Sequence, residues 1–385
     1  MNVYLDNSAT TRPFDAVNQR MTELNENGYG NPSSLHSFGM EAEKRIKTAK
    51  ENMLRAIGAK NGEIIFTSGG TEANNLAILG CMSRSVKRNP HMITTQIEHP
   101  SVTEPFLYLH ELGARCEFSS VDVNGFIDVT RFEEQITEQT AFVSIMLVNN
   151  EVGSIQPVET LSKILKSRNP DVVFHVDAVQ GLGKIKIDVE KMGIDLLTAS
   201  SHKINGPKGV GCLYIRKGVH LKPILFGGHQ ENNIRSGTQN VPGIAGFDTA
   251  LLETFNQFDM HVEQMLRCKQ FLLQKLKEIP HCTINGGESE NHAPHILNVS
   301  FPGLKSEVLL HALEARGVFI STGSACSSNK PTLSPVLSAM GFDRKRIDSA
   351  IRISLGVTNT MEEMHYAAAI IREEVLNLQK YMLNS

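Results

Sequence analysis

Short apolar runs return between amphipathic stretches across residues 63–215 of this 385-residue chain, and that alternation restricts the fold more than any other feature. The runs are EIIF (63–66), MITTQI (92–97), FVSIMLV (142–148), VVFHVDAV (172–179), LLTAS (196–200) and GCLYI (211–215). Each is strand-sized and nearly continuous, the pattern of a strand covered on both faces. Just before the first run, EAEKRIKTAKENMLRAIGA places Ala42, Ile46, Ala49, Met53 and Ala56 at helical spacing. Strands alternating with helices predict an α/β fold built on a largely parallel, helix-covered sheet. Ligands of such sheets sit beyond the carboxyl ends of the strands, so the loops after each run are where function is sought.

The texture changes near residue 257. The segment FDMHVEQMLRCKQFLLQKLKEI sets Val262, Met265, Leu272, Leu276 and Ile279 on one side of a helix. A last helix is announced by Thr360 and Glu363, spaced as a capping box. Its stripe is Met364, Ala368, Ile371, Val375, Leu378 and Met382, spaced either for a coiled-coil seam or, more simply, for packing on its own domain. The expected division is a large domain at 14–257 and a smaller α+β domain made of 1–13 with 258–385.

Composition removes several classes. The 38 Lys and Arg against 41 Asp and Glu leave a net charge of −3, with no basic excess for gripping a phosphate backbone. A direct nucleic-acid partner is therefore disfavoured and substrates are expected to be small. Six cysteines (Cys81, Cys116, Cys212, Cys268, Cys282, Cys326) include no C-x-x-C pair, so neither a disulfide scaffold nor a local metal or cluster site is indicated. The start MNVYLDNSATT has no secretory pattern, and no apolar run approaches the roughly 20 residues that span a bilayer. The chain reads as cytoplasmic, away from membranes, with reduced thiols.

Three motifs carry chemistry. Ser68-Gly69-Gly70-Thr71 lies between a strand and a helix, where free amides favour an anion. It is either a phosphate cradle or a plain turn capped by Thr71. Asp177 ends an apolar strand, followed by Gln180. A carboxylate there needs a partner: a backbone N–H, an arginine, or a protonated pyridine nitrogen. Ser200, His202 and Lys203 follow the next strand, and Gly206, Gly209 and Gly211 give room for a bulky group. An amine after an apolar strand, beside hydroxyl and imidazole groups, is suited to a Schiff base. A phosphate cradle, an acid for a ring nitrogen and an imine-forming lysine are together what pyridoxal 5'-phosphate (PLP) requires.

These motifs, with YLDNSATT (4–11), GNPSSLHSFG (30–39), FTSGGTEANN (66–75), IEHPS (97–101), VNNEVGSIQP (148–157), HVDAVQ (175–180), SSHKINGPKGVG (200–211), RSGTQN (235–240), STGSACSS (321–328) and RISLG (352–356), run from end to end. In them the chain resembles the cysteine desulfurases of the NifS/IscS type, in the class V aminotransferase family. The resemblance implies fold type I and a PLP-dependent conversion of L-cysteine to L-alanine, with sulfur passed to Cys326 as a persulfide. It implies Lys203 as the imine-forming residue. Gly70, Thr71, Ser200 and His202 would bind the phosphate, Asp177 the ring nitrogen and Gln180 the ring hydroxyl. His99 would stack on the ring and exchange protons, Asn150 would lie beside ring and substrate, and Arg352 would fork onto the substrate carboxylate. Thr238 would reach the cofactor of the neighbouring subunit in a homodimer. A surface ion pair is the plainer role for Arg352.

Cys326 sits among small and polar residues with Gly323 and no apolar periodicity, predicting a mobile exposed loop at about 321–332. A thiol there can act as nucleophile and carry sulfur to an acceptor protein. The other five cysteines are expected to be small buried hydrophobes. Two departures from the family pattern stand out. Its GGGQE reads Gly227-Gly228-His229-Gln230-Glu231, an exchange expected to be tolerated. The sequence also stops soon after its last helix, which leaves a cluster scaffold, a tRNA-thiolation enzyme and a thiamine-pathway protein all open as acceptors. The alternatives are a selenocysteine lyase or another fold type I aminotransferase and, from a different class, a non-catalytic sulfur carrier.

Overall fold

The computed structural model describes residues 1–82, 89–322 and 333–383. Cys326 and Gly323 lie outside the described residues. The strands are β1 (Val3–Tyr4), β2 (Glu63–Thr67), β3 (His91–Thr95), β4 (Arg115–Ser119), β5 (Thr140–Met146), β6 (Val173–Asp177), β7 (Leu196–Ser200), β8 (Gly211–Ile215), β9 (Thr283–Asn285), β10 (Ile296–Ser300), β11 (Val318–Phe319), β12 (Ser321–Thr322) and β13 (Ala350–Ser354).

A seven-stranded sheet has the order β2-β8-β7-β6-β5-β3-β4. Neighbours from β7 to β4 are parallel, while β8 runs antiparallel to both β7 and β2. Its strands bury both faces. Ile64, Phe66, Cys212 and Tyr214 join one core with the helices Ser37–Ala56, Val158–Arg168 and Val241–Asn256. Ile65, Leu213 and Ile215 join another with the helices Gly70–Met82 and Pro100–Glu111. This two-sided burial is why the runs are continuously apolar. The sequence reading passed over β4: it is an edge strand whose Arg115 and Glu117 break the apolar run and guard an open edge.

A second core gathers around the antiparallel sheet β12-β13-β10-β9. Met265, Leu272, Leu276 and Ile279 of the 258–279 segment are buried in it, with Met364, Ala368, Ile371 and Val375 of the helix Met361–Leu383. Each such Met, Leu, Ile or Val side chain stabilises by roughly 1.5–3 kcal/mol when fully buried. The final helix thus spends its stripe on its own chain rather than on a coiled-coil seam. Its capping box forms as spaced, Thr360 N donating to Glu363 Oε2 (2.9 Å) and Glu363 N to Thr360 Oγ1 (3.2 Å). Val3 and Leu5 belong to this core, because β1 pairs in parallel with β11.

Candidate active site

The carboxyl ends of the parallel strands converge on a cavity of about 390 Å³. Five strand ends deliver side chains to it: Gly70 and Thr71 after β2, His99 after β3, Asn150 after β5, Asp177 and Gln180 with β6, and Ser200, His202 and Lys203 with β7. Arg352 of β13 closes it from the second core, together with Asp6, Ser8 and Ala9 of the first residues. Thr238 is the exception: it is exposed and does not line this cavity.

Glycines set how closely the strand ends approach. A Cβ on Gly211 would stand 2.6 Å from the Gly69 carbonyl carbon, and one on Gly206 would stand 2.1 Å from Ser201 Oγ. Both therefore serve backbone packing rather than making room for a ligand. Of the three, Gly209, at φ 79°, alone has open space where a Cβ would be. Gly70 opens its helix and Thr71 lies in the first turn, so Thr71 is not the residue preceding the helix that a cap requires. Beside that turn, Ser200 Oγ is buried with no hydrogen-bond partner. A buried hydroxyl left unmatched at a helix start fits an anion such as phosphate.

Asp177 takes one of the plain partners the sequence offered, a backbone N–H rather than an arginine, and one it did not offer. Its Oδ1 accepts from Val179 N (2.9 Å) and its Oδ2 from Asn74 Nδ2 (2.7 Å). Asn74 also donates to Ser101 Oγ (2.8 Å), which lies 2.8 Å from His99 Nδ1. Ser101 N donates to that same Nδ1 (3.1 Å), so Nδ1 is the acceptor and the ring proton is assigned to Nε2. Burial depresses the His99 pKa, with Asp177 opposing and Lys203 assisting. His202 is pushed down to about 4 by burial and then by Lys203 and Lys208, so it is neutral near pH 7.

Lys203 Nζ donates to two backbone carbonyls of the first residues, Ser8 O (2.5 Å) and Ala9 O (2.7 Å). Gln180 Nε2 donates to Ser8 O as well (2.9 Å), which uses one of its two N–H groups and leaves the other for a ligand. Arg352 is no surface pair. It is 5% exposed, its Nη2 donates to Asp6 Oδ1 (2.7 Å), its Nη1 to Asn150 O (3.0 Å), and its Nε is buried without a partner. Sequence reasoning missed Asn74, Ser101, Asp6 and the Ser8 and Ala9 carbonyls. Asn74, Ser101, Asp6 and Ser8 stood inside quoted motifs, yet a carbonyl has no side-chain signature and an Asn is common at any helix start.

The departure at His229 carries a backbone cost. His229 adopts φ 66°, where glycine is at ease, and Glu231, Asn232 and Asn233 follow at 47°, 56° and 66°. A non-glycine residue there costs on the order of 1 kcal/mol or more. The exchange is accommodated at that cost, with Glu231 anchored by Lys50 Nζ (2.7 Å) and Phe66 N (3.2 Å).

With this geometry in place, comparison with known proteins is consistent throughout. Residues 3–366 match the family model for class-V aminotransferases. The chain is 41% identical to the cysteine desulfurase IscS of Dictyoglomus turgidum, over 98% of this chain and 95% of that one. It is 40% identical to the cysteine desulfurase IscS 1 of Archaeoglobus fulgidus, over 92% of each. The structure of a NifS-like protein superposes with a TM-score of 0.93 at 39% identity, covering 98% of this chain and all of the other. The chain belongs to the class-V aminotransferase family.

Proposed function

We propose that this chain is a PLP-dependent cysteine desulfurase that converts L-cysteine to L-alanine and collects the sulfur on Cys326. The observation that carries the reading is the convergence of Lys203, Asp177, His99 and Arg352 on one cavity beside the unmatched Ser200 hydroxyl. PLP would supply a carbonyl for an amine and a conjugated ring that withdraws electrons from bonds beside that amine.

The residues present fit that group. The helix start at Gly70 and Thr71, with Ser200 and neutral His202, would hold the phosphate; Asp177 would hold the ring nitrogen and Gln180 the ring hydroxyl. Arg352 and Asn150 orient the substrate carboxylate, which fixes where its Cα proton points. Lys203 Nζ would carry the cofactor and, as a free amine, would take the Cα proton of the substrate. His99, its Nδ1 engaged by Ser101, has its Nε2 proton to donate. In the net reaction the Cβ–S bond breaks, sulfur joins Cys326 Sγ to give a persulfide, and Cβ takes up a proton to complete alanine. The five described cysteines are poor substitutes for Cys326. Burial raises all of them, Cys81 and Cys212 to about 12 and Cys116 and Cys282 to about 11, so they stay as thiols.

The reading extends to a cytoplasmic homodimer in which the exposed Thr238 reaches the neighbouring subunit's phosphate. The acceptor is a protein of cluster assembly, tRNA thiolation or thiamine synthesis. Residues 14–257 form the cofactor-binding domain, and 1–13 with 258–385 the smaller one. No helix among the described residues is long and apolar enough to cross a membrane.

The test is alanine and sulfide release from L-cysteine by the purified protein, with intact-mass detection of one added sulfur. Cys326→Ser is expected to keep the yellow colour and lose both products, and Lys203→Ala to lose colour and turnover together. Undiminished desulfuration by Cys326→Ser overturns the reading.

A further inference from the structure

The turn that follows β5 is gripped at successive peptide units. Arg352 and Asn298 stand directly opposite each other on β13 and β10. They take consecutive carbonyls of that turn: Arg352 Nη1 donates to Asn150 O (3.0 Å) and Asn298 Nδ2 to Glu151 O (3.1 Å). The N–H of Glu151 donates to Asn149 Oδ1 (2.9 Å), which also accepts from Val152 N (2.9 Å). That Glu151 N–H and the Asn150 carbonyl belong to one planar trans peptide unit and point opposite ways. Holding the N–H therefore fixes where the carbonyl points, and it points at the guanidinium of Arg352.

The side chain of Glu151 ties the same turn to a distant segment. Glu151 and Ser334 are both buried, 6% and 3% exposed, and Ser334 Oγ donates to Glu151 Oε2 (2.6 Å). Ser334 also caps the helix Pro335–Ala339, its Oγ accepting from Leu337 N (3.1 Å). The two segments meet in an apolar cluster that includes Val152, Val336 and Leu337. A carboxyl group buried at such a place is costly unless it is hydrogen-bonded, so apolar packing alone does not account for it.

We propose that Glu151 is a positioning residue for substrate recognition: anchored by Ser334, it holds the Asn150–Glu151 peptide in the orientation that aims Arg352. The inference rests on Arg352 receiving the substrate carboxylate. Without the anchor the peptide can rotate, and the Arg352 fork then meets a carboxylate off its line. Affinity falls while Lys203 and His99 keep their places.

The experiment is a titration of the absorbance of the yellow, cofactor-loaded protein with L-alanine and with ethylamine, which is alanine without its carboxylate. Glu151→Met, close to glutamate in volume but without the carboxyl, is expected to weaken L-alanine about fivefold and leave ethylamine unchanged. Ser334→Ala is expected to do the same, and the double variant to be no worse than Glu151→Met alone. With L-cysteine, KM should rise in each while kcat holds. Equal weakening of both amines assigns Glu151 to packing and overturns the proposal. So does an L-alanine titration that matches the parent in either single variant, or two effects that add in the double one. If Glu151→Met does not fold, Ser334→Ala decides by the same comparison of the two amines. A parent protein whose colour responds to neither amine would instead sink the functional reading, so the two failures are distinguishable.

Discussion

The two walls of the cavity are built differently. On the sheet side, the groups sit at strand ends whose positions are fixed by covered neighbours, and the acid and the amine are tied to backbone: Asp177 to Val179 N, Lys203 to Ser8 O and Ala9 O. On the opposite side, one side chain, Arg352, reaches in from the second core and is aimed by one carboxylate and one carbonyl. The contrast teaches where chemistry and recognition are separable. Damage to the sheet wall should reduce turnover, and damage to the Arg352 wall should reduce affinity.

The strongest attempt to break that separation is Arg352→Gln. It should raise KM for L-cysteine by about 10–100-fold while the cofactor colour is retained, because a charge-assisted fork is replaced by a neutral contact. A comparable fall in kcat at unchanged KM would show that the two walls are not distinct. A smaller effect is expected from Asn74→Ala, which removes the shared donor between Asp177 and Ser101. We expect kcat to drop about tenfold with KM little altered, and the acid limb of the pH profile to move as Asp177 and Ser101 Oγ lose the donor they share. Equal changes in KM and kcat would assign Asn74 to packing alone.

The mildest effect concerns stability behind the sheet wall. Glu98 is buried, its Oε1 accepting from Thr95 Oγ1 (2.6 Å) and Met146 N (3.0 Å), and burial lifts its pKa to about 8. Between about pH 4.5 and 8 the folded state keeps a proton that the unfolded chain has released, so stability declines as pH rises through that window. Glu98→Gln should therefore melt like the parent near pH 5 and a few degrees higher near pH 9, as read by calorimetry. A uniform shift at both pH values would remove Glu98 ionisation as the cause.

Much of the sheet wall was legible in the sequence. EIIF, LLTAS and GCLYI became β2, β7 and β8 because burial on both faces leaves no polar position to confuse the pattern. Asp177 and Lys203 were visible for the same reason, as polar residues ending apolar runs. Arg352 was not readable from its surroundings, since AIRISL is an apolar strand with one odd residue, and only the family motif singled it out. Asn74 and Asp177 are 103 residues apart, and no local spacing reports a hydrogen bond of that reach.

Arg352 and Asp6 are separated by 346 positions, and β1 has no partner strand until β11 exists. A ribosome therefore releases Asp6 early, and its partner Arg352 follows only when almost the whole polypeptide has emerged. Nascent or truncated chains would thus have a sheet whose cavity still lacks the Asp6–Arg352 wall.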